Sequence, residues 1–277
     1  MEQIKVAIIS AMAVAIIFFS YPGSSKAESL ILASTTSTEN SGLFNFVLPK
    51  FEKATDITVR VIASGTGQAL RMAENGDADV LIVHHPESEK KFVADGFGVQ
   101  RHLLMYNDFI IVGPKADPAR VRISGRAISA FAAISSKSAL FASRGDESGT
   151  HKSENDLWRA ARIDPKGARW YLSLGAGMGA VLNTAIGMNA YTLSDRATWA
   201  AFRNKAEHTI LVEKDPVLFN QYSVIMVNPR RHPHVNAEAA ARFIEWLLSE
   251  TGQNLIREFQ IHGEQMFFPN ARVATSN

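Results

Sequence analysis

The sequence has no cysteine, almost no excess charge of either sign, and no long apolar run beyond its first residues. Without cysteine the chain has neither a disulfide nor a lipid-modified cysteine anchor. Its formal net charge is only +2 over 277 residues. Nucleic acids and anionic membrane surfaces reward clustered basic charge, so this balance disfavours both as partners.

The beginning of the chain has the pattern of an export signal. Residues 1–5 are weakly basic, residues 6–19 are apolar apart from Ser10, and Ser25 and Ala27 are the small residues that a signal peptidase reads. The apolar run is too short to span a bilayer comfortably. We therefore predict cleavage after Ala27 and a soluble periplasmic protein.

The remaining chain alternates strand-like and helix-like patterns. The apolar runs 30–33, 57–62 and 79–83 are each followed by a segment with helical periodicity. This alternation predicts an α/β fold with a mainly parallel sheet, whose ligands bind beyond the carboxyl ends of the strands. With 46% apolar residues, the chain is long enough to form two lobes.

Hydroxyl residues are concentrated where two of these strands lead into helices. Residues 34–38 are all Ser or Thr, and residues 64–68 read Ser-Gly-Thr-Gly-Gln. One Ser or Thr is enough to cap a helix, so a run of them indicates a ligand at this edge. A redundantly capped polar turn is the alternative.

A similar loop, residues 143–151, places Arg144 just before Ser-Gly-Thr at a helix start. Free backbone N–H groups at a helix N-terminus beside a guanidinium outline an anion site. The alternative is an ordinary helix cap with a solvated arginine. The glycine-rich residues 174–180 and the strand-to-helix pattern at 191–196 predict further loops of this type at the same edge.

Two long extended segments predict the lobe connections. Residues 105–114 and 218–227 lack helical periodicity, and two such strands can join two lobes that bend between them. We predict one lobe from residues 28–108 plus 223–277 and another from residues 109–222. Residues 123–136 of the second lobe have the pattern of one amphipathic helix.

The sequence contains few patterns typical of a catalytic site or a metal site. Adjacent residues of an extended chain point to opposite faces, so His84 and His85 are poorly placed to share an ion; we expect hydrogen bonding or packing near the cleft instead. No Gly-x-Ser-x-Gly motif is present, and Ser148 with His151 is the best nucleophile–base pair. We predict no catalytic residues, no cofactor and no direct metal ligand.

Taken together, these motifs resemble the periplasmic tungstate-binding proteins of tungstate ABC importers. The resemblance covers nearly the whole chain after the signal segment, and its combination of motifs is more specific than any one of them. The motifs are Ser34-Thr35-Thr36-Ser37-Thr38-Glu39, Ser41-Gly42-Leu43, Ser64-Gly65-Thr66-Gly67-Gln68-Ala69-Leu70, Asn75-Gly76-Asp77-Ala78-Asp79-Val80, Met105-Tyr106-Asn107-Asp108-Phe109, Ser143-Arg144-Gly145-Asp146, Ser148-Gly149-Thr150-His151 and Tyr191-Thr192-Leu193-Ser194-Asp195-Arg196.

The resemblance implies a type II periplasmic binding-protein fold, with two α/β lobes joined by two hinge strands and a ligand cleft between them. It implies binding of the tungstate oxyanion and its delivery to an inner-membrane permease with its ATPase. We expect the protein to be a monomer. It carries over to Thr35, Thr36, Ser37, Ser64 and Thr66 as first-lobe donors and to Arg144 and Thr150 as second-lobe donors. Their position at helix starts adds three further candidates, Ser148, Gly149 and Met178.

Two other functions remain open at this stage. A phosphate-binding protein is the close alternative, because the Arg-x-Asp-x-Ser-Gly-Thr motif resembles that family too. Phosphate keeps a proton at neutral pH and rewards a carboxylate acceptor, whereas Asp146 could instead hold Arg144 in place. A secreted hydrolase is the alternative from another class. Molybdate matches tungstate in charge and nearly in size, so the residues alone do not separate those two anions.

Overall fold

The computed structural model describes residues 28–271. The predicted signal segment, residues 1–27, lies outside them. No helix among the described residues is long and apolar enough to cross a membrane. The strands are β1 (Glu28–Thr35), β2 (Ile57–Ser64), β3 (Val80–Val83), β4 (Gly98–Pro114), β5 (Phe141–Ser143), β6 (Tyr171–Ser173), β7 (Thr192–Asp195), β8 (His208–Val212), β9 (Phe219–Val227), β10 (Gln260–Ile261), β11 (Glu264–Gln265) and β12 (Phe268–Pro269).

Helices follow most of these strands, as the alternating pattern predicts. They are α1 (Thr36–Ser41), α2 (Leu43–Thr55), α3 (Thr66–Asn75), α4 (Pro86–Ala94), α5 (Val121–Ser124), α6 (Ala127–Ser136), α7 (Gly149–Ala160), α8 (Met178–Gly187), α9 (Arg196–Ala201), α10 (Ala237–Leu248) and α11 (Glu250–Glu258), with a 3₁₀ turn at Pro216–Leu218.

The first part of the sheet has the strand order β12-β4-β9-β3-β1-β2. Strands β1, β2 and β3 run parallel, with Thr35 opposite Ser64 and Ser34 opposite Ile82. Their carboxyl ends therefore meet at one edge, where α1 and α3 begin. Strand β9 runs antiparallel between β3 and β4.

Strand β4 belongs to both halves of the molecule. Its residues up to Asp108 pair with β9, and from Phe109 onward they pair with β7 and β8. Strand β5 pairs in parallel with β6 and reaches β7 through a parallel bridge between Phe141 and Tyr191. The carboxyl ends of β5 and β7 thus form a second edge that faces the first.

Apolar side chains form separate clusters on either side of this crossing. Phe51, Phe243 and Phe267 are fully buried in a cluster of the first half, and Phe131 and Phe141 in a cluster of the second. Two cores joined by continuous strands support the proposed lobes, 28–108 plus 223–277 and 109–222, whose boundaries remain a prediction.

The single helix predicted over residues 123–136 is wrong in one respect. The segment forms α5 and α6, separated at Gly125, which has a φ of 59°. A left-handed residue cannot continue a right-handed helix, and glycine adopts that conformation without a Cβ penalty.

Candidate functional site

The hydroxyl loop after β1 forms a compact network at the start of α1. Thr35 is the N-cap, and its Oγ1 accepts the backbone N–H of Thr38 at 3.3 Å. The same oxygen lies 3.1 Å from Ser37 Oγ and 2.8 Å from Thr38 Oγ1. Thr36 is only half-buried and reaches across the cleft. The loop is thus held by Thr35 and Ser37 while Thr36 faces the other half.

Arg144 leaves the end of β5 and is only 1% exposed. Its Nη2 donates to Asp146 Oδ2 at 2.6 Å and to Thr36 Oγ1 at 3.0 Å, and its Nε donates to the same carboxylate at 3.1 Å. Its Nη1 has no hydrogen-bond partner among residues 28–271. A buried, fixed guanidinium therefore has one free donor group, which suits an anion.

Helix α7 brings the Ser-Gly-Thr motif to the same place. Ser148 is the N-cap, accepting the N–H of His151 at 3.2 Å. The N–H of Gly149 donates across the cleft to Thr66 Oγ1 at 2.9 Å. Thr150 is completely buried, and its hydroxyl has no partner within the described part of the chain. Arg144 Nη1 and Thr150 Oγ1 are thus two buried, unpaired polar groups near one helix N-terminus.

The two remaining predicted residues, Met178 and Ser64, have fewer groups available to a ligand. Met178 begins α8, and its side chain is buried in an apolar cluster, so only its backbone N–H can serve a ligand. Gly177, just before it, faces Thr36. Ser64 ends β2 beside Thr35, but it is half-buried and its hydroxyl reaches only the neighbouring Gly65 carbonyl, at 3.4 Å.

Asp146 holds Arg144 rather than facing the cleft. Its Oδ2 accepts both guanidinium bonds, and its Oδ1 accepts the N–H of Ser148 at 3.2 Å. Both oxygens therefore have partners.

Sequence reasoning did not assign His84 to the site. It is 1% exposed, with Nδ1 2.9 Å from Asn220 Oδ1 and Nε2 3.3 Å from Ser37 Oγ. Its ring stacks on Tyr222 at 4.7 Å. Burial lowers the pKa of His84 to about 3, so the imidazole is neutral. His84 hydrogen-bonds beside the hydroxyl loop, and its position directly after β3 was the available signal.

Asp195 was also missed as a site residue. It ends β7 and caps α9, accepting the N–H of Thr198 at 2.9 Å, and it is completely buried. Burial raises the pKa of this carboxyl, and the hydrogen bonds from Thr198 and the nearby Arg144 oppose that shift. Its place at the second edge, after a strand, was the signal in the sequence.

The two halves also touch at the mouth of the cleft. The N–H of Gly67 donates to Glu147 O at 3.3 Å, and Arg71 forms an exposed ion pair with the Glu147 side chain at 3.0 Å. Beside them lies a groove of about 1050 Å³ lined by Lys91, Lys152 and other charged residues. This groove is too large and open to enclose a small anion, so the buried donors define the candidate site.

Comparison with known proteins identifies this arrangement. Residues 22–251 match the model of the PBP superfamily domain, so the chain belongs to this superfamily of two-lobed binding proteins. The tungstate-binding protein TupA of Peptoclostridium acidaminophilum is 49% identical over 247 residues, which cover 88% of this chain and 86% of that protein. The chain therefore belongs to the family of TupA tungstate-binding proteins.

Solved structures agree with this assignment. TupA from Desulfovibrio alaskensis G20 has a TM-score of 0.75 and 45% identity, covering 89% of this chain and 100% of that one. The structure described as the tungstate ABC transporter from Geobacter sulfurreducens has a TM-score of 0.77 and 48% identity, covering 84% and 99%. The fold class and the family resemblance predicted from the sequence are confirmed, and so is the broad assignment to the solute-binding components of importers.

Proposed function

We propose that this protein is the periplasmic solute-binding component of an ABC importer and that it binds tungstate in the cleft between its lobes. The observation that carries the proposal is the pair of buried, unpaired groups, Arg144 Nη1 and Thr150 Oγ1, at the start of α7. The similarity to tungstate-binding proteins over most of the chain supports the choice of anion.

The donor set suits the chemistry of tungstate, a tetrahedral dianion without a proton at neutral pH. Its oxygens accept only, and burying such a charge unpaired would cost tens of kcal/mol on a Born estimate. Helices α3, α7 and α8 begin at this site, and each N-terminus offers roughly half a positive charge. Together with the one charge of Arg144 they supply about 2.5 positive units. Asp146, which is bonded to Arg144, offsets about one of them. The remainder offsets most of the dianion without a lysine cluster.

The proposed ligand-binding residues differ in whether their hydrogen-bond donors are already used within the protein. Arg144, Thr150 and the first-turn N–H groups at Thr36, Ser37 and Met178 have donors to offer. Among the other candidates, only the Gly149 N–H is already used as a donor, to Thr66 Oγ1. The hydroxyl oxygens of Thr66 and Ser148 accept backbone N–H groups, so their O–H groups can still donate to an anion. Thr35 Oγ1 is engaged in the hydroxyl network with Ser37 and Thr38. Ser64 is the weakest candidate.

The phosphate alternative is less well supported. A hydrogen phosphate would present an O–H that needs an acceptor in the site. Asp146 was the sequence candidate for that acceptor, yet its oxygens accept from Arg144 and Ser148. Molybdate has the charge and nearly the size of tungstate, so the donors do not separate the two; the family membership favours tungstate.

The geometry of Ser148 and His151 disfavours the hydrolase alternative. Ser148 Oγ accepts the backbone N–H of His151, and His151 Nδ1 accepts the N–H of Glu147 at 3.0 Å. The imidazole is therefore not hydrogen-bonded to the serine hydroxyl, as a general base must be. This geometry favours helix capping over nucleophilic catalysis.

The proposal includes the route and the partners. The protein is exported through cleavage after Ala27, binds the anion as a monomer, and closes by bending near Asp108 and Gln221. The closed form then engages an inner-membrane permease with its ATPase.

Calorimetric titration in a buffer free of oxyanions tests the proposal, using tungstate, molybdate, sulfate and phosphate in turn. We expect one-to-one tungstate binding at roughly nanomolar Kd, about −12 kcal/mol, well ahead of phosphate and sulfate. Binding of phosphate alone would overturn the proposal.

A further inference from the structure

Asp195 and Arg144 leave the same sheet edge at nearly the same level. The parallel bridge between Phe141 and Tyr191 sets the register of β5 against β7, and the N–H of Ala142 donates to Tyr191 O at 2.8 Å. Counting from that bridge, Arg144 lies level with Ser194, and Asp195 is one residue further along. The two groups therefore leave adjacent strands within one residue of each other, and the guanidinium is near enough to oppose the rise in the pKa of the carboxyl.

The two carboxyl oxygens of Asp195 differ in their hydrogen bonding. Oδ1 caps α9 through Thr198 N–H, whereas Oδ2 has no hydrogen-bond partner among residues 28–271 although the side chain is completely buried. Helix α9 contacts α1 across the cleft, where Thr198 Oγ1 lies 3.4 Å from Ser37 O. The unpaired oxygen is thus enclosed beside the hydroxyl loop that Arg144 reaches.

Few charges face this carboxyl to stabilise its ionised form. The charged and titratable groups near it are Arg144 from the β5 loop and Tyr222 on β9, against which His84 stacks. His84 is neutral, and burial raises the pKa of Tyr222 well above its ordinary value, so it is neutral too. The neighbouring Arg196 is already paired with Asp108 at 2.6 Å. Arg144 is the one positive group facing Asp195 within the described chain.

The charge balance of the closed site is unfavourable if Asp195 is ionised. Arg144 carries one positive charge but is bonded to Asp146. The N-termini of α3, α7 and α8 each add about half a positive charge. Against the carboxylates of Asp146 and Asp195 and the bound dianion, these positive charges leave an excess of more than one negative unit. A dry site penalises such an excess strongly.

We propose that Asp195 takes up a proton from solvent when the cleft closes on the dianion, and that its neutral carboxyl donates a hydrogen bond inside the site. The inference rests on the proposed function and adds the basis of its selectivity. When Asp195 is protonated, it offers the anion a hydrogen-bond donor instead of an acceptor, which suits an anion without a proton. An ionised Asp195 would instead accept the O–H of hydrogen phosphate.

The experiment is titration of the protein with sodium tungstate at pH 7 and 8, in pairs of buffers that differ in ionisation enthalpy. A histidine of ordinary pKa is largely neutral at pH 8. We expect uptake of up to one proton per tungstate, and an affinity that falls by up to tenfold per pH unit. Asp195→Asn should bind tungstate with no such uptake and little pH dependence, whereas Asp77→Asn, at an exposed position, should behave as the unsubstituted protein.

Several results would overturn the inference. Tungstate binding without proton uptake would do so while leaving the proposed function standing, and so would uptake that persists in Asp195→Asn. Absence of tungstate binding at both pH values would remove the proposed function and this inference together. If Asp195→Asn does not fold, infrared difference spectra of the unsubstituted protein decide: a protonated-carboxyl band must appear when tungstate is added.

Discussion

Arg144 is the residue whose loss should affect the site most. Its side chain is fixed by Asp146 and Thr36, so Nη1 is held ready for the anion. Arg144→Ala removes a charge-assisted bond in a dry site, worth about 1.5–3 kcal/mol, and leaves Asp146 unpaired beside a dianion. We expect tungstate affinity to fall at least about 100-fold in calorimetric titration.

Arg159→Ala is the matched control, because that guanidinium is 75% exposed on the same helix as Thr150. It should bind tungstate like the unsubstituted protein. Thr36→Val, which removes one hydroxyl, should lower the affinity less than Arg144→Ala. Unchanged affinity in Arg144→Ala would show that the anion binds elsewhere.

Glu154 lies behind the arginine loop and should make stability depend on pH. Its Oε1 lies 3.1 Å from Trp158 Nε1 and 2.7 Å from the Tyr171 hydroxyl. Burial raises the pKa of Glu154 to about 7 from an ordinary value of 4.5. The folded state therefore keeps a proton that the unfolded state releases, so this contribution is present below pH 4.5 and is lost as the pH rises to 7.

Glu154→Gln should remove that dependence, because the amide is neutral at every pH and can still accept both bonds. We expect the variant to gain up to about 3 kcal/mol over the unsubstituted protein in urea unfolding at pH 8, and little at pH 4. Glu258→Gln, at an exposed position, should change stability at neither pH. An equal effect of Glu154→Gln at both pH values would contradict the assignment.

At the scale of elements, the start of α7 lies directly against His84 of the other half. A Cβ added to Gly149 would lie 2.6 Å from His84 Cε1. The imidazole cannot move aside easily, since Asn220 and Tyr222 hold it. Gly149→Ala should therefore keep the lobes apart and weaken tungstate binding by about 5- to 150-fold, the equivalent of the 1–3 kcal/mol typical of overpacking.

Gly187→Ala is the comparison, because an added Cβ there meets nothing within 4 Å. That variant should bind normally and be as stable or slightly more stable, given the helix propensity of alanine. Titration and thermal unfolding without ligand separate the two effects. If Gly149→Ala binds tungstate normally, α7 and His84 do not approach each other in the bound state.

The elements at the site were largely predictable, and their contacts were not. Strand-to-helix loops with Thr35, Thr66 and Ser148 at the helix starts follow from local pattern and capping chemistry. That Gly149 donates to Thr66, and that Asp195 is enclosed, depends on how distant segments meet. Local periodicity carries no information about such contacts: the pattern of 191–196 indicates that Asp195 ends a strand, but not that the side chain is enclosed near Arg144.

At the scale of the whole molecule, the exposed contacts at the mouth of the cleft contribute little to holding the two halves together. The Arg71–Glu147 pair is more than 60% exposed on both sides, and such pairs contribute about 0–1 kcal/mol. The bond from Lys152 to Ser88 at 2.7 Å is partly buried but single. The buried bonds from Arg144 to Thr36 and from Gly149 to Thr66 are the stronger direct links, and a bound anion should add to them.

Thermal unfolding should report that contribution. Tungstate at about 1,000 times its Kd should add about 4 kcal/mol. For a chain of this size that raises Tm by roughly 8–16 °C. Phosphate at the same concentration should produce a much smaller shift, and equal shifts with both anions would argue against selective recognition.

The position of β9 has a consequence for the order in which the chain is made. This strand lies between β3 and β4, yet it is synthesised after residues 109–218. Until Val227 has emerged from the ribosome, the first half lacks its central strand and cannot complete its sheet. The late strand thus keeps the first half from completing its fold until most of the chain has been made.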